Sequence, residues 1–304
     1  MPELPDIATY VACVAEKASG RTLLRVRIAN PFLVRTVDPP VAELHGKMLR
    51  SVANIGKRIV LEFSGDMYLV VHLMIAGRLH WKTPGTALAG KRDLAALDFE
   101  AGSLVLSEAG SKRRASFNLV RGWDAARAFD PGGIDPLTCG ADEFRGRLQE
   151  SNHTLKRALT DPRIFSGIGN AYSDEILHRA RLSPLLWTSK LDEGQTGQLY
   201  KAVREVLGEW VTRLGDLAAA HGGWPPKVTA FQEGMAVHGR YGEPCPVCGD
   251  PVQRIAYADN ETNYCATCQT DGVLLADRSM SRLLKKDWPR TLDELEELRR
   301  NQAK

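Results

Sequence analysis

The sequence predicts an α+β multidomain protein, and three observations along the chain support this fold class. Before residue 130, one amphipathic helix is followed by short β-prone segments separated by turn residues. Beyond residue 130 the apolar residues recur at helical spacing, and a cluster of cysteines lies near the C-terminus. We therefore expect an N-terminal β-sandwich with a packed helix, a helical domain and a C-terminal finger built on four cysteines.

Length and charge limit the possibilities. A chain of 304 residues has room for two or three domains with separate cores. A net charge of +3 is only mildly basic, so nucleic-acid binding would have to come from local clusters of Lys and Arg. The chain has no apolar run long enough to cross a membrane and no charged-then-apolar leader. These features predict a monomer that is cytosolic or nucleoid-associated and makes no membrane contact.

The first region predicts a helix and a sheet. Apolar residues share one helical face between Pro5 and Ala18, and Gly20 is expected to end that helix. The β-prone segments that follow are Leu23–Ile28, Lys47–Ile55, Arg58–Phe63, Tyr68–His72 and Leu104–Ser107. Their spacing predicts an antiparallel sandwich or barrel, and residues 85–93 read as a mobile loop.

Beyond the Asp130-Pro131-Gly132-Gly133 boundary the pattern becomes helical. The predicted helices are Asp142–Glu150, Thr154–Thr160, Ala171–Arg181 and Gln195–Ala220. Gly167-Ile168-Gly169-Asn170 lies before the third of these, with Asn170 expected at the N-cap. Backbone N–H groups exposed there suit a phosphate oxygen, although any tight helix–turn–helix has the same pattern.

Cys245, Cys248, Cys265 and Cys268 form two C-x-x-C pairs. Paired thiolates at this spacing come from two tight turns and together supply a closed tetrahedral zinc site, so we expect one structural Zn²⁺. Disulfides are the alternative, which a reducing compartment disfavours. Strands at Val252–Ala258 and Thr262–Tyr264 would complete the finger, and helices at Leu283–Lys286 and Leu292–Arg299 would form a tail. The predicted division is 1–130, 131–234, 235–270 and 271–304.

The start of the chain predicts nucleophilic chemistry. Removal of Met1 would leave Pro2 as a secondary amine that can attack an electrophilic carbon. An α-amino group titrates near roughly 8, against about 10.4 for lysine, so more of it is neutral at neutral pH. Glu3 is one peptide away and could act as general acid or base. The structural alternative is a helix start with Pro and acidic residues in its first turn.

Basic residues cluster twice in the first region. The clusters are Lys47, Arg50, Lys57 and Arg58, then Lys112, Arg113, Arg114 and Arg121. Each is either a binding surface or a solvated face. Lys57 stands out because it follows Ile55-Gly56 at a loop–strand junction, where a lysine can project toward a ligand.

Taken together, these motifs identify a resemblance to a known family. The chain resembles the formamidopyrimidine-DNA glycosylase / endonuclease VIII (Fpg/Nei) family of base-excision repair enzymes from Pro2 to about Gln269. The matching stretches are Pro2-Glu3-Leu4-Pro5, Ile55-Gly56-Lys57-Arg58, His72-Leu73-Met74, Gly167-Ile168-Gly169-Asn170-Ala171-Tyr172, Val237-His238-Gly239-Arg240-Tyr241-Gly242-Glu243-Pro244-Cys245 and the four cysteines.

The resemblance implies a bifunctional DNA glycosylase/AP lyase that acts on damaged double-stranded DNA. In that family the proline amine attacks C1′ of the damaged nucleotide and a glutamate assists, roles that fall to Pro2 and Glu3. Lys57 matches a lysine near the scissile phosphate, and Asn170 matches the asparagine of a helix–two-turn–helix motif. Met74 or Ile75 would fill the gap left by the flipped nucleotide. The residues implied to bind DNA are Asn170, Lys156, Arg92, Met74, Arg113 and Asn260.

The sequence departs from the family pattern at three places. The finger turn has Asn260 where an arginine is usual, which predicts weak δ-elimination or weak processing of abasic sites. The intercalating loop, between Ser107 and Phe117, keeps basic residues in an unusual order, so opposite-base readout is not predicted. The tail beyond Cys268 has no counterpart in compact members and reads as a docking helix.

Two other functions are consistent with parts of the sequence. One is a lesion-binding protein with weak or absent lyase activity, which Asn260 suggests. The other is a zinc-ribbon interaction module without a DNA role, which leaves Pro2, Glu3 and Asn170 unexplained. The sequence does not distinguish oxidised purines from oxidised pyrimidines as the substrate.

Overall fold

The structure is a computed structural model that describes residues 1–88, 90–110, 112–258, 260–276 and 288–302. The chain forms two compact units. The first comprises residues 1–133 and 208–230, and the second comprises residues 134–207 and 231–304. No helix among the described residues is long and apolar enough to span a membrane.

The first unit begins with helix α1, Leu4–Ala18, and continues into eight strands. The strands are β1 Leu23–Ile28, β2 Leu49–Ile55, β3 Arg58–Phe63, β4 Met67–His72, β5 Gly77–Lys82, β6 Asp93–Phe99, β7 Gly102–Glu108 and β8 Ser116–Arg121. They form two four-stranded antiparallel sheets with the orders β1-β6-β7-β5 and β2-β3-β4-β8. A short helix α2, Trp123–Arg127, follows β8.

The core of this unit holds the inward faces of the strands together with α1. Ile7, Tyr10 and Val14 of α1 belong to the same buried cluster as apolar residues of both sheets. Burial of these side chains is the main stabilising contribution to such a layered structure. Trp224 packs on Tyr10 and donates its indole N–H to the Leu79 carbonyl, which attaches residues 221–230 to the sandwich.

The second unit is helical and ends in the finger. Its helices are α3 Ala141–Gln149, α4 Leu155–Thr160, α5 Asn170–Arg179 and the first part of α6 Glu193–Ala220, which crosses the division between the units. Strands β9 Gln253–Ala256 and β10 Glu261–Tyr264 form the finger hairpin, followed by α7 Ala266–Thr270 and the tail helix α8 Leu292–Gln302.

Most predicted elements are confirmed, with differences at the ends and three strands missed. β5, β6 and β8 have no predicted counterpart, and β6 begins at Asp93, the last residue of the predicted mobile loop. Helix α1 ends at Ala18 with Ser19 as its C-cap, so Gly20 lies one residue beyond the cap. Gly169 is the N-cap of α5 and Asn170 its first residue, which corrects the predicted N-cap. The predicted Leu283–Lys286 helix lies outside the described residues, and the four-part domain division stays a prediction.

The β-sandwich with a packed helix, the helical region and the four-cysteine finger confirm the predicted fold class.

Candidate functional site

The chain start is buried at the N-terminus of α1. Glu3 is the N-cap of this helix and is 4% exposed, and Pro2 is buried beside it. The Glu3 backbone N–H donates to Oδ2 of Asp6 at 2.9 Å, so the first turn is held by its own side chain. The fold therefore keeps the Pro2-Glu3 segment in one conformation.

Burial and neighbouring charges act on the α-amino group. Burial lowers the pKa of the Met1 amine, the Glu3 carboxylate opposes this, and the positive charges of Arg78 and Lys57 lower it further. An amine in these surroundings is neutral over a wider range of pH than a solvated one. This is the electrostatic condition that a nucleophilic amine needs.

Asp6 carries a second perturbed group in the same cluster. Burial raises the pKa of its carboxyl to about 7, and the Glu3 backbone N–H partly opposes the shift. Its Oδ1 is buried and has no hydrogen-bond partner among the described residues. An ionised carboxylate is costly where one oxygen is unsatisfied, so the neutral form is favoured up to near pH 7.

Lys57 lies in the tight turn between β2 and β3. Gly56 precedes it with φ +57°, a backbone conformation that glycine adopts without strain, and Ile55 pairs with Arg58 across the turn. Burial and the charges of Arg58 and Lys57 lower the pKa of nearby His72 to about 4. His72 is therefore neutral at physiological pH and adds no positive charge to the cluster.

The turn after β4 presents the two candidate wedge residues. Met74 is half-buried with φ +53°, whereas Ile75 is 62% exposed. The turn closes so tightly that a Cβ on Gly77 would clash with the Leu73 carbonyl oxygen. A non-glycine residue in the left-handed region marks a locally strained turn.

Arg78 ties this turn to the loop after α6. Its Nε donates to the Val228 carbonyl at 2.7 Å, and its Nη1 donates to the carbonyls of Ile75 and Gly77. The same guanidinium lowers the pKa of the Met1 amine. Arg78 thus connects the turn after β4 to the 221–230 segment by hydrogen bonds, and its charge acts on the chain start, all within the first unit.

The other predicted DNA-binding cations of the first unit are on its surface. Arg92 is exposed, and its carbonyl accepts the Glu108 N–H. Arg113 is exposed in the segment after β7, where the Glu108 carboxylate accepts the backbone N–H of Arg114 and Ala115. Glu108 therefore organises the backbone of this basic loop.

The predicted phosphate residues of the second unit form one polar network. Asn170 begins α5 and donates its side-chain amide to the Glu261 carbonyl at 2.9 Å. Lys156 is 11% exposed and donates to Oδ1 of Asp174 at 2.5 Å and to the Asn170 carbonyl at 2.7 Å. Asp174 also pairs with His238 at 2.7 Å. Lys156 is therefore directed toward the start of α5 and holds it.

Glu175, next along α5, organises the approach to the finger. Its two carboxylate oxygens accept the backbone N–H groups of Ala236, Val237 and His238 at 2.6, 2.9 and 2.9 Å. Val237 then packs in a small buried cluster with Cys245, Val252 and Cys265. The helix thus fixes the chain that leads into the cysteine site.

The four cysteines meet at one point, and their geometry suits zinc. The four Sγ atoms lie within 4.8 Å of one another, with 3.9 Å between Cys245 and Cys268 and 3.4 Å between Cys248 and Cys265. Four thiolates at the Zn–S distance of about 2.3 Å would lie about 3.8 Å apart in a tetrahedron. Backbone N–H groups of Val247 and Cys268 approach Cys245 Sγ and Cys265 Sγ at 3.5 Å, as expected around thiolates.

His178 of α5 also contacts this site. Its Nε2 lies 3.3 Å from Cys245 Sγ, and burial lowers the pKa of the ring to about 4. A neutral imidazole can donate Nε2–H to a metal-bound thiolate and orient it. The residues present therefore fit a bound Zn²⁺.

Asn260 lies in the turn of the finger hairpin and is exposed. Its carbonyl accepts the Tyr257 N–H at 2.8 Å, so it closes the hairpin through its backbone. The neighbouring Asp259 lies outside the described residues.

Sequence reasoning missed Asp6, Arg78, Asp174, Glu175 and His238. Partial signals exist for the acids. Asp6 interrupts the apolar start of α1, and Asp174-Glu175 sits in the middle of an otherwise buried helix. A charged residue on a buried helix face indicates a specific partner. Arg78 and His238 give no such signal, because the contacts that define their roles, with Val228 and Asp174, are made to residues far away along the chain.

Three domain families match successive parts of the chain. Residues 1–118 match the family of formamidopyrimidine-DNA glycosylase N-terminal domains, residues 133–218 match the glycosylase H2TH domain, and residues 242–270 match the zinc finger found in FPG and IleRS. The Thermus thermophilus formamidopyrimidine-DNA glycosylase is 35% identical over 280 residues, which cover 90% of this chain and 100% of the relative. An uncharacterized glycosylase-like protein of Mycobacterium tuberculosis is 44% identical over 167 residues, covering 55% of this chain and all of that protein.

Solved structures are similar over the same part of the chain. The Lactococcus lactis enzyme in complex with abasic-site DNA superposes with a TM-score of 0.78 at 26% identity, covering 88% of this chain and 99% of the other. Its complex with Fapy-dG DNA gives 0.78 at 25% identity, covering 88% and 100%.

A β-sandwich, an H2TH domain and a four-cysteine finger in this order define a class of DNA-repair glycosylases. The chain belongs to the formamidopyrimidine-DNA glycosylase family, whose members are DNA glycosylases and AP lyases.

Proposed function

We propose that the chain is a bifunctional DNA glycosylase/AP lyase that removes oxidised bases and cleaves the strand through a Schiff base on Pro2. The observation that carries this proposal is the buried Pro2-Glu3 start beside Lys57 and Arg78, whose charges lower the pKa of the terminal amine. Once Met1 is removed, the same surroundings act on the Pro2 nitrogen.

The proposed reaction begins at the sugar. The Pro2 nitrogen attacks C1′, the glycosidic bond breaks, and the base leaves with the bonding electron pair and takes up a proton. Glu3, held at the helix start, is positioned to protonate the ring oxygen as the sugar opens. The resulting iminium is a cation that draws electrons from C1′ and acidifies the C2′ proton.

Loss of that C2′ proton cleaves the strand. The C2′–H electrons form the C1′–C2′ double bond of an enamine-type intermediate and the 3′ phosphate leaves by β-elimination. Water then releases the sugar fragment and regenerates the proline amine. Lys57, in the turn beside the cluster, is proposed to act near the scissile phosphate.

DNA binding is proposed for both units. Asn170 and the backbone at the start of α5 are proposed to bind phosphate, with Lys156 holding that start in place. The wedge is proposed to come from Met74 or Ile75, and Arg92, Arg113 and Asn260 stay proposed contacts. The Lactococcus lactis relative has been solved with abasic-site and Fapy-dG DNA, which supports damaged duplex DNA as the partner.

One structural Zn²⁺ and a monomeric state complete the proposal. Cys245, Cys248, Cys265 and Cys268 would hold the ion, and four thiolates leave no position for a substrate. The metal supplies folding free energy to the finger and takes no part in the reaction.

A second function is favoured by one observation. The finger turn carries neutral Asn260, so the turn itself offers no cation to a phosphate. A protein that binds lesions with weak lyase activity would follow if strand cleavage depends on such a cation.

Incision assays separate the two functions. Duplexes containing an oxidised purine, an oxidised pyrimidine or an abasic site are incubated with wild-type enzyme and with Pro2→Gly. We expect base release and strand cleavage with wild type, and cleavage slower by roughly tenfold with Pro2→Gly, because the imine of a primary amine is a cation only when protonated, whereas the proline iminium is always charged. Tight binding without cleavage of any duplex by wild type would support the lesion-binding function instead.

A further inference from the structure

The finger has one positively charged side chain, and the structure places it on one face of the β9–β10 hairpin. Between Gly242 and Thr270 the sequence has a single Lys or Arg, Arg254. It lies in β9 opposite Asn263 of β10, and its side chain is 48% exposed. Successive strand residues point to opposite faces, so Arg254 shares a face with Asn263 and Glu261. The other face carries Ile255 and Tyr264, which pack on the tail.

The guanidinium of Arg254 lies over an aromatic ring. Its Cζ is 4.3 Å from the centre of the Tyr241 ring, which is a cation–π distance. A contact to the ring face leaves N–H groups at the edge of a guanidinium able to bind a further ligand. A planar fork of donors matches the oxygens of a phosphate.

One carboxylate competes for these donors. Oε2 of Glu261 lies 3.3 Å from Nη1 of Arg254, and both side chains are partly exposed, at 31% and 48%. An ion pair of this length and exposure is weak, so a phosphate can displace it. Glu261 also accepts the Asn263 side-chain amide through Oε1 at 3.0 Å, which keeps it in place when Arg254 leaves.

The same residue connects Arg254 to the start of α5. The Glu261 backbone carbonyl accepts the Asn170 amide at 2.9 Å. Asn170 is the first residue of a helix whose N-terminal N–H groups attract anions. Glu261 therefore contacts both Arg254, through its carboxylate, and the proposed phosphate-binding start of α5, through its backbone carbonyl. All three residues belong to the second unit.

We propose that Arg254 is the phosphate-binding cation of the finger and that Glu261 competes with DNA for it. This inference rests on the proposed function, since it assigns a further DNA-binding residue to that site. Arg254 positions the backbone of the duplex and takes no part in bond breaking. On DNA binding, Arg254 would break its ion pair with the Glu261 carboxylate and form one with a phosphate oxygen.

The test measures DNA binding without chemistry. The dissociation constant is determined by fluorescence anisotropy over a salt series, with a duplex containing a tetrahydrofuran abasic analogue that cannot form a Schiff base. The variants are Arg254→Gln, Arg254→Lys and Glu261→Gln. Arg145→Gln serves as the matched control, because Arg145 is 44% exposed in the same unit and pairs with Asp142.

Arg254→Gln and Glu261→Gln should change the affinity for DNA in opposite directions. Arg254→Gln should weaken binding about tenfold near 0.1 M salt and reduce the slope of log K against log salt by about 0.9. Glu261→Gln should tighten binding by roughly threefold because the competing charge is gone. Arg254→Lys should keep the salt slope, and Arg145→Gln should change neither quantity. Melting temperature and zinc content should stay at wild-type values in all four variants.

Two results would overturn the assignment. If wild type binds with a normal salt slope and Arg254→Gln keeps that slope, Arg254 does not contact phosphate. An equal change in Arg145→Gln would show a general charge effect and reject the assignment as well. If wild type binds no damaged duplex at all, the proposed function itself fails.

Discussion

Single residues at the chain start carry the proposed chemistry through their surroundings. Pro2 and Glu3 are visible as a motif, but the motif alone is consistent with a simple helix start. Burial and the charges of Arg78 and Lys57 lower the pKa of the terminal amine, which favours the proposed nucleophile because a helix start needs no such shift. The role of Arg78 could not be predicted, since its partner Val228 is 150 residues away along the chain and only the fold brings the two together.

Asp6 gives a pH prediction at this scale. Its folded pKa of about 7 lies above the unfolded value near 3.9, so the stability it contributes is complete below about pH 4 and is lost as pH rises to about 7. Three pKa units correspond to a loss on the order of 4 kcal/mol. The apparent melting temperature of wild type should therefore fall between pH 4 and 7 more than that of Asp6→Asn. Thermal melts at stepped pH give the comparison.

The control for this prediction is Asp216→Asn. Asp216 is exposed on α6 within the same unit, so its substitution should leave the pH dependence at the wild-type value. If the melting temperatures of wild type and Asp6→Asn changed equally between pH 4 and 7, a protonated Asp6 would be contradicted.

At the scale of elements, helix α5 connects the glycine turn that precedes it, at residues 167–169, to the finger. Asn170 reaches Glu261, Asp174 holds Lys156 and His238, and Glu175 holds the chain ahead of the cysteines. The helix and the glycine turn before it could be predicted from the sequence. The network could not, because it depends on which face of the helix meets the segment at 236–238.

Glu175 gives a prediction at this scale. Glu175→Ala removes the acceptor of three backbone N–H groups, of which those of Val237 and His238 are buried, and this should cost about 3 kcal/mol or more. Val237 would lose its support and the cysteine site would loosen. We expect a lower melting temperature and faster zinc release to a chromogenic chelator. Glu205→Ala, at a partly exposed ion pair in the same unit, should behave as wild type. Unchanged zinc release in Glu175→Ala would show that α5 does not support the finger.

The strands show where local sequence is not enough. β1 and β3 have the predicted bounds, since both are short runs of β-formers between turn residues. β5, β6 and β8 were missed. β6 reads Asp-Leu-Ala-Ala-Leu-Asp-Phe, which favours a helix locally, and it becomes a strand by pairing with β1 and β7 on both sides. Pairing partners that lie far apart in sequence decide such cases.

At the scale of the whole molecule, the chain continues beyond the residues that match the family models. The family matches end at residue 270, and the Thermus thermophilus relative is covered completely by 90% of this chain. Leu292 and Leu295 of α8 pack against Ile255 and Tyr264, the hairpin face opposite Arg254. A helix was predicted at Leu292–Arg299, and the structure has one at Leu292–Gln302 whose apolar residues pack on the hairpin.

The order of motifs along the chain was enough to predict the family. The proposed nucleophile, the proposed phosphate-binding turn and the cysteine finger are each encoded by a short local pattern, which can be recognised without knowledge of the fold. The lesion and the balance between β- and δ-elimination are not local in this way. They depend on loops whose side chains act together on one flipped nucleotide.

The most direct test of the central claim is the site of covalent attachment to DNA. Wild-type protein is incubated with an abasic-site duplex and sodium borohydride, the adduct is digested with protease, and the modified peptide is identified by mass spectrometry. We predict a reduced adduct on the Pro2 nitrogen, in a chain that has lost Met1, and no adduct at that position when the mature terminal amine is acetylated. Attachment at Lys57 or another lysine, or an undiminished adduct in a chain that keeps Met1, would contradict the proposed mechanism.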